Sequence, residues 1–214
     1  METTRRTFVA GTAAAGIALA AAGTAFAEEA KTEEATAETE GDGYSVVETE
    51  SGLQVTIADD ENPDLPTAVV LATGGTIAGT GEAGKTTGYS AGQLDVGTLV
   101  ASAAGITDIA NVRGVQVCNV GSDDITDAYW IQMAQTINEL AADDVISGFA
   151  VTHGTDTLEE TAYFLNLAVK TDKPVVITGA MRPSTATSAD GPMNLYQTIA
   201  LAANPDAVGR GTMV

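Results

Sequence analysis

The sequence predicts an α/β fold, a parallel sheet with helices on both faces. Two observations carry that expectation. From residue 67 onward, short apolar runs rich in β-branched residues alternate with longer stretches whose apolar positions recur at helical spacing. Each apolar run also gives way directly to a polar cluster, and in such folds ligands bind beyond the carboxyl ends of the strands.

Taken in order, the first element is weak. Leu53-Gln54-Val55-Thr56-Ile57 alternates apolar with polar side chains, a candidate edge strand, and Asn62-Pro63 and Leu65-Pro66 close the segment with turn chemistry. Residues 68–72 follow as a run apolar at every position, the mark of a strand buried on both faces. Residues 115–120 read as the next strand. Ala128, Ile131, Ala134, Ile137 and Ala141 then share one face of a helix over residues 127–142. Phe149-Ala150-Val151 is a third buried strand and residues 158–169 a second helix. Val175-Val176-Ile177 and a helix over 193–202 come next, and Gly211-Thr212-Met213-Val214 begins like one more strand.

The start of the chain reads as an address. Arg5-Arg6 stands before Phe8 and an alanine-rich apolar run that ends in Ala25-Phe26-Ala27, a small-x-small cleavage site. Residues 1–27 are therefore expected to be a twin-arginine export signal, with the mature protein periplasmic or extracellular. Gly11, Gly16 and Gly23 break the run, and spanning a bilayer takes about 20 apolar residues, so a stable membrane anchor is not expected. Residues 28–64 are expected to be an acidic linker carrying the candidate edge strand, and residues 65–214 the ordered α/β domain.

Composition narrows the function. A hydrophobic content of 44% excludes wholesale disorder. The net charge of −20 is concentrated in residues 28–64, where thirteen acidic side chains face Lys31 alone. No part offers the basic patch that nucleic acid demands. With one cysteine, Cys118, and one histidine, His153, neither an internal disulfide nor a Cys/His zinc site can be built.

Two short matches are set aside. Gly79 to Thr86 satisfies G-x-x-x-x-G-K-T, the phosphate-loop pattern of nucleotide-binding proteins, but six residues separate it from the strand and Thr86 opens no helix. Gly88-Tyr89-Ser90-Ala91-Gly92 satisfies the serine-hydrolase elbow G-x-S-x-G without a strand before it.

Four clusters remain, each at a strand end. In Thr73-Gly74-Gly75-Thr76 two glycines allow a tight turn that presents Thr76, whose hydroxyl either bonds that turn or faces a ligand. Gly121-Ser122-Asp123-Asp124 reads as a turn before a helix. His153-Gly154-Thr155-Asp156-Thr157 precedes a helix, with Thr157 and Glu160 at capping-box spacing and His153 read as a structural histidine. Thr178 to Pro183, with Ser188 to Pro192, is the fourth.

Together these strings closely resemble one family, the bacterial type II L-asparaginases and glutaminase-asparaginases. The likeness runs from residue 65 to 214 through ATGGTIAGTG, GYSAG, IANVRG, NVGSDD, THGTDTLEETAYFL, DKPVVITGAMRPSTATSADGPMNLY and RGTMV. The resemblance implies the N-terminal domain of the asparaginase fold and hydrolysis of the side-chain amide of L-asparagine, with L-glutamine as a further substrate. It implies a threonine nucleophile at Thr76, with Tyr89 on a mobile loop over it, and Thr155 and Asp156 as two members of a second triad completed by a lysine. It also implies Gly75, Ser122, Asp123, Gly154 and Ala180 at the substrate, no metal or cofactor, and a homotetrameric parent protein. Asp123 stands where asparagine-selective members commonly carry glutamine, and resembles members that also accept glutamine. The lysine and a smaller C-terminal domain are expected beyond Val214, so the chain is expected to be a fragment and by itself a poor catalyst, an inactive folded remnant in the limit.

Overall fold

The structure, a computed structural model, describes residues 44–214; the expected export signal and the acidic stretch before residue 44 lie outside the described residues. Seven strands form one mixed sheet: β1 (Tyr44–Glu48), β2 (Gln54–Ala58), β3 (Thr67–Gly74), β4 (Asn111–Val120), β5 (Ile146–Thr152), β6 (Val175–Thr178) and β7 (Thr212–Met213). Their order is β1-β2-β4-β3-β5-β6-β7, with β4, β3, β5, β6 and β7 mutually parallel. The hairpin β1–β2 adds antiparallel to β4.

The parallel part follows from composition. All eight residues of β3 are buried, because β3 lies mid-sheet with helices over both faces. Ala68, Val70 and Ala72 face one way, against α1 (Val96–Ser102) and α4 (Gly191–Ala202). Val69 and Leu71 face the other, against Met133 and Ile137 of α2 (Asp127–Leu140) and Leu165 of α3 (Leu158–Ala168). Burying a Val or Leu side chain is worth about 1.5–3 kcal/mol, so this two-sided core is the main reason the chain folds.

Topology then places the site. From β3 the chain crosses to β4 on one side, then returns past β3 to β5 on the other. The carboxyl ends of β3, β4 and β5 therefore open around a switch point, the crevice where such sheets bind ligands.

Each expected buried strand is present, and longer than its apolar run. β4 begins at Asn111 because Arg113 is neutralised there by Glu61, two bonds of 2.8 and 3.0 Å, with Asp143 at 3.6 Å. β5 begins at Ile146 and passes through Gly148, where an added Cβ would overlap the Ala202 carbonyl. The alternating stretch expected as an edge strand is β2, and it is paired on both sides because β1, not foreseen, covers its outer edge. Helix α1 was likewise not foreseen; it is two turns long and starts on Asp95, which accepts the Thr98 amide at 2.9 Å.

Candidate active site

The loop after β3 carries Thr76. Gly74 and Gly75 have φ of 106° and 74°, a region closed to most L-residues. Neither could carry a side chain: a Cβ on Gly74 would overlap the backbone of Val120, and one on Gly75 the backbone of Gly154. This turn starts a 3-10 segment (Thr76–Ala78) and leaves Thr76 half-buried at the mouth of the sheet. Its hydroxyl lies 2.8 Å from the phenol oxygen of Tyr89. Tyr89 sits on an exposed loop clipped at its base by Thr80 and Ser90, which exchange backbone bonds of 3.0 and 2.9 Å. The loop is also tied to the segment after β6, where Thr185 accepts the Gly81 amide at 3.0 Å.

The loops after β4 and β5 interlock. Ser122 is buried; its hydroxyl accepts the Asp156 amide at 3.1 Å and donates to the Asp156 carboxylate at 3.2 Å. The Thr157 hydroxyl donates to the Ser122 carbonyl at 2.8 Å. A Cβ on Gly154 would lie 2.6 Å from Ser122 Oγ, so only glycine permits this approach. Thr155, Asp156 and Asp123 remain exposed, forming an open shelf with two carboxylates.

The loop after β6 closes the other side. The His153 amide donates to the Thr178 carbonyl at 2.8 Å, and a Cβ on Gly179 would lie 2.9 Å from the Thr155 methyl. Ala180 is buried behind it. Asp190 accepts the amides of Met181 and Arg182, each at 2.9 Å, and Asn194 donates to the Gly179 carbonyl at 3.0 Å. Burial alone would raise the Asp190 carboxyl, but those amides and the Arg182 charge hold it below its ordinary range. The turn Gly154–Asp156 is thus the hub that the other three loops touch.

A family model described as Asparaginase, N-terminal, matches residues 67–214. The chain belongs to the asparaginase family. L-asparaginase 2 of Bacillus subtilis (strain 168) is 56% identical over 155 residues, 72% of this chain and 41% of that protein. The probable periplasmic L-asparaginase of Haemophilus influenzae is 50% identical over 163 residues, 76% of this chain and 46% of that protein. Glutaminase-asparaginase of Acinetobacter glutaminasificans is 48% identical over 147 residues, 68% of this chain and 44% of that protein. Among solved structures, a probable cytoplasmic L-asparaginase from Campylobacter jejuni superposes with a TM-score of 0.67 at 48% identity, covering 70% of this chain and 46% of that one. The chain thus spans less than half the length of these relatives.

Within this asparaginase-family domain, every residue singled out from the sequence lies on one of the converging loops, with Thr76 and Tyr89 in direct contact. One local expectation fails, and the two short matches set aside from the sequence are likewise not functional elements. The capping box at Thr157 and Glu160 does not form, because the Thr157 hydroxyl is spent on the Ser122 carbonyl. The segment Gly79–Thr86 is loop with no helix after it, and Lys85 pairs with Glu82. Ser90 lies in the bridge to Thr80, on no strand-to-helix elbow, while His153 is buried with both ring nitrogens engaged elsewhere.

Sequence reasoning missed the clamp of Asp190 and Asn194, and the close approach at Gly179. Asp190-Gly191-Pro192 did carry a signal, an acidic residue directly before a helix with proline at its start. A cavity of about 350 Å³ lies instead beside the β1–β2 hairpin, lined by Leu53, Val96, Gln116 and Gln132. It contains none of the site residues, whose shelf is open rather than enclosed. Among the described residues no group of three His, Cys, Asp or Glu could hold a metal ion, and no helix is long and apolar enough to cross a membrane.

Proposed function

We propose that residues 67–214 carry the nucleophile and half the substrate pocket of an amidohydrolase acting on L-asparagine, with L-glutamine as a second substrate. The observation that carries this reading is the 2.8 Å contact between Thr76 Oγ1 and the Tyr89 phenol, at the switch point and beside the Gly154–Asp156 hub. A threonine hydroxyl is a weak nucleophile until a neighbour takes its proton. In this reading the Tyr89 phenol oxygen takes that proton as Oγ1 attacks the amide carbon, while the phenol's own proton passes toward the amide nitrogen that will leave. The tetrahedral oxyanion then needs donors; the Gly75 amide is spent on the Val120 carbonyl at 2.8 Å, so the backbone N–H groups of Thr76 and Thr155 serve in this reading, each worth about 3 kcal/mol. The C–N bond breaks, ammonia leaves with a proton, and water attacks the Thr76 ester to release aspartate and restore the hydroxyl. Asp156 suits the substrate's α-ammonium by its charge, and Ser122 suits the α-carboxylate once its hydroxyl turns from the Asp156 carboxylate to the substrate.

The test is a chimera in which residues 67–214 replace the matched segment of the Bacillus subtilis relative. Ammonia release from L-asparagine is expected, and Thr76→Ala should abolish it. A Thr76→Ala chimera that keeps more than about 1% of the rate would overturn the assignment. The chain alone is expected to release little ammonia, since it spans 41% of that relative. Export rests on residues 1–27: one relative is named periplasmic and one neighbour cytoplasmic, and the intact mass of secreted protein decides between them. Assembly of the complete protein as a homotetramer is what the family resemblance implies, and light scattering tests it.

A further inference from the structure

His153 belongs to none of the steps above, yet it is fully buried directly under the hub. Its hydrogen bonds run in one direction only. The Trp130 indole N–H can only donate, so Thr161 Oγ1, 2.7 Å away, accepts. The Gly154 carbonyl can only accept, so a neutral ring must face it with a protonated Nδ1, and Nε2 is the bare nitrogen that takes the Thr161 proton at 2.9 Å. The ring proton therefore sits on Nδ1 and is donated to the Gly154 carbonyl at 2.7 Å. Trp130 is itself held by stacking on Phe164, ring centres 5.4 Å apart.

That carbonyl belongs to the peptide that precedes Thr155. In a planar trans peptide the N–H points opposite to the C=O. Tying the Gly154 carbonyl to the buried imidazole aims the Thr155 N–H away from it, and as the first residue of its 3-10 turn Thr155 has no intrahelical acceptor. We propose that Trp130, Thr161 and His153 form a positioning relay that fixes the Gly154–Thr155 peptide, and with it the Thr155 amide and hydroxyl at the site. Its role in catalysis rests on the amidohydrolase reading; its existence does not. Burial lowers the His153 pKa, against the Gly154 carbonyl and the facing charge of Glu160, in keeping with a neutral ring.

One histidine and one tryptophan make the test unambiguous in the full 214-residue chain. Nitrogen-15 NMR at pH 7 is expected to show a neutral imidazole protonated on Nδ1; an Nε2–H tautomer or an imidazolium overturns the relay. Thr161→Val should leave Nε2 without its donor, moving the Nε2 resonance, and shift the Thr155 and Asp156 amide signals, while Thr161→Ser, keeping the hydroxyl, leaves them in place. Ring signals that move while both amides stay would overturn the positioning role. Should Thr161→Val not fold, Trp130→Phe keeps the stacking and removes the donor that orients the Thr161 hydroxyl; the Nε2 resonance must then move together with the same two amide signals, unmoved signals counting against the relay. In the chimera, Thr161→Val should lower kcat about tenfold or more with KM little changed. A chimera inactive in every version would refute the amidohydrolase reading and leave the NMR result standing.

Discussion

Replacing Gly75 by alanine tests whether the site loops are held together backbone to backbone. The residue adopts φ 74° and ψ −172°, a region essentially reserved for glycine, and forcing alanine there costs about 1–3 kcal/mol. The new methyl would also overlap the Gly154 backbone, which cannot rotate away as a side chain can, and making room costs roughly another 1–3 kcal/mol. A combined loss near 4 kcal/mol is a large share of the 5–15 kcal/mol typical of a domain. With a urea slope of about 2 kcal/mol per M, the unfolding midpoint should fall by about 2 M. Gly88→Ala is the control: its φ is 71°, but an added Cβ meets nothing within 4 Å, so only strain of about 1–2 kcal/mol is expected. Equal losses for the two variants, within about 0.5 kcal/mol, would refute the argument that contact between loops makes glycine obligatory at 75.

Three further outcomes are expected. Glu61→Gln should cost about 1–3 kcal/mol by urea titration, because it breaks a bidentate pair with Arg113 whose side chains are only 16% and 23% exposed. His153 has its pKa lowered by burial, so the unfolded chain binds its proton first: the contribution is complete above about pH 6.5 and declines as pH falls below it, by at most about 1.4 kcal/mol per pH unit. Stability measured from pH 7 to 5 should show that decline in the wild type and lack it in His153→Gln; Asp190, held below its ordinary range, contributes only further into acid. The exposed Asp123 predicts glutamine hydrolysis by the chimera, and a glutamine-to-asparagine kcat/KM ratio below about one in a thousand, some 4 kcal/mol, would count against it.

How legible this was from sequence depends on the range of the interaction concerned. Buried parallel strands announce themselves locally, since Ala68 to Ala72 must be apolar at every position, and so they were read. β1 was not, because Val46 and Val47 are more than 40% exposed and pair only through backbone to residues 54–58, which gives no composition signal. α1 escaped because its two turns contain Gly97 and two β-branched valines, and its stability comes from Val96, Leu99 and Val100 packing on the sheet. At the site, glycine runs and strand ends located the loops, but the spacing of Thr157 and Glu160 misled, since a capping hydroxyl and one that reaches another loop look alike in sequence.

The same distinction explains the make-up of the hub. Four loops from four strands can meet at one turn only if their backbones approach within van der Waals contact, and Gly74, Gly75, Gly154 and Gly179 are where that happens. Contacts of this kind leave no slack: a shift of the β3 loop is passed through Gly75 to Gly154, and from Gly154 to Ser122 and the Asp156 carboxylate. The side chains proposed to carry the chemistry, Thr76, Thr155 and Asp156, are half-buried or exposed and are constrained mainly through the backbone that carries them. Precision at this site therefore resides in its glycines and in the buried groups beneath them, and substitutions there should impair it as surely as loss of a reactive hydroxyl.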